Sequence, residues 1–175
     1  MDSNKIIDLL KPERHHRVLE IGFGKGKLLK KLSPLVKQVS GIDVDERKVN
    51  RAIWKLGLKN LDLRNARAEN LPFDDSSFDA VVMVSSYHEF SDGPKALSEI
   101  WRVLKPLGRL LVIDISRDNF LIRLLAKLDK DELVRTFEEM RKEMLMAGFS
   151  DIIGERIRVK LIFGGMWLEG TKKED

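Results

Sequence analysis

Three glycines and two carboxylates set out the chemistry this chain is equipped to perform. The run Val18-Leu19-Glu20-Ile21-Gly22-Phe23-Gly24-Lys25-Gly26 ends an aliphatic strand in alternating glycines that open a helix. Glycine takes positive φ readily and has no Cβ. Gly22, Gly24 and Gly26 therefore let the turn press against a nucleoside and its amino-acid tail, or against a neighbouring helix in a purely structural turn. Glu20 stands two residues before Gly22, where the carboxyl end of a strand presents a carboxylate to the crevice. There it holds a ligand amine or a water, or it pairs with a local lysine. Asp43 closes a second strand 21 residues after Gly22, a place from which a carboxylate accepts both ribose hydroxyl protons. The alternative, a cap for the following helix, suits Asp45 better. The spacing GxGxG, in place of GxGxxG, argues against a dinucleotide pyrophosphate and so against NAD.

Short aliphatic runs alternate with helical segments, the pattern of a parallel sheet with crossover helices. A leading helix carries Ile6, Ile7, Leu9 and Leu10 and stops at Pro12; strands follow at Arg17 to Ile21 and Gln38 to Ile42. Between them Leu28, Leu29 and Leu32 mark a helix over Lys25 to Leu32. A second helix spans Glu46 to Leu56 and ends at Gly57. Leu61 to Asn65 is a third strand and Ala80 to Val84 a fourth. Pro94 to Leu104 reads as a helix capped by Ser91 or Asp92, and Arg109 to Ile115 as a fifth strand. After an apolar stretch, Phe120 to Leu128, the pattern predicts a helix from about Asp131 to Ala147. Two strand-like runs, Ile152 to Ile157 and Val159 to Trp167, complete it. Their separation is too short for a crossover helix, so they pair antiparallel. Trp54 and Trp101 lie on helical segments and read as core, and Trp167 as core or interface.

Length and composition narrow the field. A chain of 175 residues, 43% hydrophobic, suits one domain over 1–175, with a ligand-binding half at about 1–75 and a second half at about 76–170. The absence of cysteine excludes disulfides, thiolate nucleophiles and Cys-based zinc sites, and three histidines make a poor metal set, so no metal is expected. His15 and His16 precede the first strand and read as surface residues. No apolar run approaches bilayer length, and a cytoplasmic, unprocessed protein is the expectation. A net charge of +4 reflects a slight Lys and Arg excess, not a basic tail. Lys25, Lys27, Lys30 and Lys31 read as a solvated helix face in preference to an RNA-binding one.

The segments VLEIGFGKGKL, GIDVDERKV, AENLPFDDSSFDAVV and SSYHEFSDGPKALSEIWRVLKPLGRLLVIDI occur in order over about residues 17 to 115. Together they resemble the motifs of class I S-adenosylmethionine-dependent methyltransferases, nearest to the type 11, quinone-biosynthesis-like subgroup; EMLMAGFSDI extends the likeness loosely. The resemblance implies a Rossmann-like α/β fold, its seven-stranded sheet ordered 3-2-1-4-5-7-6 with strand 7 antiparallel and helices on both faces. It implies S-adenosylmethionine as donor, bound across the carboxyl ends of strands 1 and 2. Glu20, Gly22, Phe23, Gly24 and Gly26 would then line its methionine and ribose portions, Asp43 would hold the ribose hydroxyls and Val44 would pack on the adenine. The family usually carries an acidic residue before the Ala of AENLPF, where it accepts from the adenine amino group. This chain has Arg67, an obligate donor, so backbone groups near Ala68 and Glu69 replace that contact or donor affinity falls. The family's two glycines in KPxG become Leu107 and Gly108.

Methyl transfer needs an in-line nucleophile more than a protein base, so few side chains need be catalytic. Ser85, Ser86, Tyr87 and His88 follow the fourth strand, where the resemblance places the donor's methyl group, and Ser85 is counted with the donor contacts. His88 accepts a proton from a phenol or hydroxyl, with Tyr87 or Glu89 orienting the acceptor; the alternative is a His that caps or packs. Phe120 to Leu128 forms a lid or pocket for a hydrophobic or aromatic acceptor, or else covers the sheet or joins two subunits. The expected activity is methylation of a small molecule by a monomer or homodimer. Methylation of RNA or protein, and a non-catalytic module that has lost the donor, are the alternatives.

Overall fold

The computed structural model describes residues 1–116, 118, 134–159 and 163–174. Helix α1 (Ser3–Leu10) packs Ile6 and Leu10 inward and ends as Lys11 turns left-handed ahead of Pro12. Strand β1 (Arg17–Ile21) leads through the glycine loop into α2 (Lys27–Leu32), and β2 (Gln38–Asp43) into α3 (Glu46–Leu56). The Asp45 side chain caps α3 by accepting from the Arg47 N–H at 3.0 Å, and Gly57 ends it at φ 55°. Strands β3 (Leu61–Asn65) and β4 (Phe78–Val84) come next, followed by a 3-10 turn (Tyr87–Glu89), α4 (Gly93–Val103) and β5 (Leu104–Ile115). Asp92, not Ser91, caps α4. Helix α5 (Phe137–Met146) and the strands β6 (Phe149–Val159) and β7 (Phe163–Lys172) complete the chain.

The sheet runs β3-β2-β1-β4-β5-β7-β6, and β7 is antiparallel to both β5 and β6, in agreement with the expected order. Because side chains alternate across a strand, each central strand feeds two cores. Leu19, Ile21, Val81, Met83, Leu110 and Val112 face α4 and α5. Val18, Val39, Ala80, Val82, Leu111 and Ile113 face α1, α2 and α3. The result is a helix–sheet–helix sandwich with continuous aliphatic strands, as parallel sheets buried on both sides require.

Four expectations are corrected. Trp54 is 83% exposed and not core, because the buried stripe of α3 is set by Val49 and Ala52, and position 54 falls on the opposite side. Helix α5 starts at Phe137, where Thr136 and Glu139 form a capping box, so residues 134–136 are not helical as expected. His16 is not a surface residue: its side chain is 14% exposed and its Nδ1 accepts from the Glu13 N–H, while His15 is open to solvent. Strand β6 extends beyond Ile152 to Ile157 at both ends, whereas β7 begins at Phe163 and not Val159 and runs past Trp167 to Lys172, because ladder pairing with β5 carries polar residues such as Thr171 along. The stretch Phe120 to Leu128 lies outside the described residues.

Candidate functional site

Parallel strands aim their carboxyl ends at one edge of the sheet, and β1, β2 and β4 there surround a cavity of about 510 Å³. Gly22, Gly24 and Gly26 all adopt left-handed φ, at 72°, 53° and 68°. Their reasons differ. A Cβ on Gly22 would meet the Ser86 Cβ at 2.6 Å, and one on Gly26 the Leu56 side chain at 2.9 Å, so both permit close packing within the protein. Nothing lies within 4 Å of a Cβ on Gly24, which opens on the cavity. Gly26, expected to line the ligand, is instead the left-handed cap of α2 and lies outside the cavity wall.

Glu20, Gly22, Phe23, Gly24, Asp43, Val44, Ala68, Glu69 and Ser85 all line this cavity, brought together from four separate segments. Asp43 is 5% exposed. Its Oδ2 accepts from the Gly24 N–H at 3.1 Å and its Oδ1 from the Asp45 N–H at 3.0 Å, with the Lys48 ammonium 3.5 Å away. Each oxygen keeps a lone pair for a further donor, and the carboxylate itself is fixed in orientation. Glu20 is the more unusual acid. It is 4% exposed, and among the described residues its Oε2 has no hydrogen-bond partner and no lysine pairs with it. Burial pushes its carboxyl up to about 8, against a smaller opposing pull from the Leu29 backbone.

Glu69 turns its carboxylate into the protein. Its Oε1 accepts from the Ser91 N–H and hydroxyl at 2.9 and 2.8 Å and from the Asp92 N–H at 3.2 Å. Burial raises its pKa, but the Ser91 and Asp92 hydrogen bonds and the Arg67 charge outweigh this and hold it below the usual carboxylate range. Arg67 lies 3.5 Å from Glu69 Oε2 and donates to the Ser91 hydroxyl, leaving its side chain 60% exposed at the cavity rim.

The two residues expected to be catalytic sit beside this cavity without lining it. Tyr87 is 3% exposed and donates to Glu143 Oε2 on α5 at 2.6 Å, while a Cβ on Gly93 would strike its ring, so Gly93 exists to admit it. This corrects the orienting role: the hydroxyl is committed to the protein interior, and burial together with the Glu143 contact pushes its pKa up. His88 places Nδ1 2.7 Å from Asp114 Oδ1 at the end of β5. Asp114 was not anticipated, although a lone acid closing the aliphatic run LLVI carries the same signal as Asp43. Lys48 was also missed, as were Met1 and, on α1, Ser3 and Ile6, which close the cavity from the N-terminal side. The one group of potential metal ligands among the described residues, Glu13, His15 and His16, lies before β1 at the sheet's opposite edge.

A GxGxG loop after β1, an acid ending β2 and a seventh strand run antiparallel are the features that the motif resemblance implies for a class I S-adenosylmethionine-dependent methyltransferase. The chain belongs to the type 11 methyltransferase-domain family, whose model matches residues 19–112. It is 37% identical to the uncharacterised methyltransferase YcgJ of Bacillus subtilis over 116 residues, 65% of this chain and 46% of that protein. It is 34% identical to the ubiquinone/menaquinone biosynthesis C-methyltransferase UbiE of Pseudoalteromonas translucida over 111 residues, 58% of this chain and 43% of that protein. The matched segment thus spans about half the length of these relatives. The crystal structure of YcgJ superposes with a TM-score of 0.82 over 99% of this chain and 98% of that one, at 21% identity.

Proposed function

We propose that this chain transfers a methyl group from S-adenosylmethionine to a small-molecule acceptor that is hydrophobic or aromatic and gives up a proton. The observation that carries the reading is the pairing, in one cavity, of an oriented carboxylate at Asp43 with a buried carboxyl at Glu20 whose Oε2 has no partner. The first suits a vicinal diol. The second suits an ammonium, since a cation beside a buried carboxyl relieves the desolvation that raises its pKa. When bound, the donor supplies an electrophilic methyl on a sulfonium. Gly24 leaves room for its amino-acid portion and Val44, 62% exposed at the rim, offers an apolar surface to the adenine. With Glu69 engaged elsewhere and Arg67 a donor, acceptors for the adenine amino group come from backbone carbonyls near Ala68.

His88 is the proton acceptor in this reading. Asp114 accepts from the Tyr87, His88 and Ile115 backbone N–H groups, so it serves its neighbours as an acceptor only. Its bond to His88 therefore takes the proton on Nδ1 and places the ring's lone pair on Nε2. Such a pair suits a hydroxyl or an acidic carbon as acceptor; C-methylation of a quinone ring is what UbiE is named for. Isothermal titration with S-adenosylmethionine and S-adenosylhomocysteine tests the reading. Saturable binding at one site that weakens in Asp43→Ala is expected, and absence of binding to both ligands overturns it.

A further inference from the structure

A second cavity, of about 800 Å³, opens on the outer side of α3 beside the glycine loop. Its walls are cationic. Arg47, Arg51 and Lys55 recur at four-residue intervals, which stacks them along one face of the helix about 6 Å apart. Lys48 and Lys25 add two further cations to the lining, and Asp45 is its single carboxylate among the described residues. Asp45 is already committed, accepting from the Arg47 N–H and Nε at 3.0 and 3.3 Å, while Lys48 lies 3.5 Å from Asp43. Among the described residues Lys25, Arg51 and Lys55 form no ion pair. Like charges held together with so few counter-charges repel one another, and an anionic ligand removes that penalty.

The same helix presents Trp54, 83% exposed, three residues after Arg51 and therefore beside it, on the same side of α3 as Arg47 two turns earlier. Nothing in the fold requires an indole there, since the buried stripe of α3 is complete without it. A cationic cleft with a flat aromatic surface at its edge provides both elements by which proteins hold unpaired nucleotide chains: charges along the backbone and a plane for a base. A cleft also suits a strand better than it suits the plane of a bilayer. We infer that this groove binds a single-stranded nucleic-acid segment, its phosphates on Arg47, Arg51 and Lys55 and a base stacked on Trp54. The groove shares only Lys25 with the run Lys25, Lys27, Lys30 and Lys31. Because Gly24, Lys25 and Lys48 line both cavities, the strand would lie against the Asp43 end of the donor pocket.

Fluorescence anisotropy with a labelled single-stranded RNA of about 12 nucleotides tests this. Binding should weaken with salt, log K falling against log salt with a slope of about −2 for three neutralised phosphates. Arg51→Glu with Lys55→Glu should weaken binding more than about tenfold, and Trp54→Ala about tenfold, with Trp54→Phe retaining most of it. Calorimetry with S-adenosylhomocysteine should be unchanged in all three, which shows that they are folded. Absence of RNA binding at low salt overturns the inference. So does Trp54→Ala binding RNA as tightly as the parent while heparin competes on charge alone, since the groove would then be a general polyanion surface. Sedimentation with anionic vesicles in place of RNA retention also overturns it.

Discussion

His88 Nδ1 and Asp114 Oδ1 lie 2.7 Å apart, joining the turn after β4 to the end of β5 across 26 residues of sequence. Asp114 is 5% exposed and also receives the Tyr87 N–H at 2.8 Å, so it fixes both the turn and the imidazole upon it. Asp114→Asn keeps the shape but can offer an N–H to Nδ1, which moves the ring proton to Nε2. Nitrogen-resolved NMR of the imidazole should show the Nδ1–H form in the parent and its loss in the variant. Methyl transfer should fall by about a hundredfold or more in Asp114→Asn and His88→Ala, with S-adenosylhomocysteine affinity unchanged. Full turnover in both variants would remove the pair from the mechanism.

Asp43 offers two oriented oxygens, each already tied to one backbone N–H. Loss of hydrogen bonds to a charged acceptor costs about 2 kcal/mol or more, so Asp43→Ala should weaken S-adenosylhomocysteine roughly thirtyfold or more by calorimetry. Asp43→Asn, which retains one acceptor oxygen, should fall between the two.

Glu20, raised to about 8 by burial, is protonated in the free protein at neutral pH. The raised value means the folded chain holds a proton that the unfolded chain releases above about 4.5. The group therefore favours folding below that value, and its contribution is lost as pH rises toward 8. Melting temperature without ligand should decline over this window in the parent and more weakly in Glu20→Gln. An ammonium docking on Glu20 would ionise it, so donor binding near pH 7 should release up to one proton. Calorimetry in two buffers of different ionisation enthalpy reads that release, which should vanish in Glu20→Gln.

Leu107 takes φ 62° and is 58% exposed, a left-handed residue with little packing to compensate. Leu107→Gly should raise stability by about 1 kcal/mol, read as a shift in the urea midpoint at constant slope. A loss of stability would mean that the Leu107 side chain contributes more than its exposure indicates.

What could be read from the chain alone was what depends on local period and on order. Aliphatic runs of strand length between helical stretches marked all seven strands, and a glycine loop with an acid at the end of the next strand marked the cavity edge. These signals survive without coordinates because the sheet repeats every two residues and the helix every three to four. The order of the strands and the antiparallel last strand followed from the motif resemblance and the short terminal connection.

Which way a side chain turns at the end of an element was not legible, because a rotation of one residue exchanges inside for outside. Tyr87 and His88 are adjacent, yet one points to Glu143 in the core and the other to Asp114. Trp54 looked like core because tryptophan usually is, and only the phase of α3, set by Val49 and Ala52, puts it in solvent. Glu20 and Glu69 both reach the cavity wall, but hydrogen bonds from Ser91 and Asp92 engage the second while the first keeps an oxygen with no partner. Those partners come from distant segments of the chain, and only the packed sheet and its helices bring them within bonding distance.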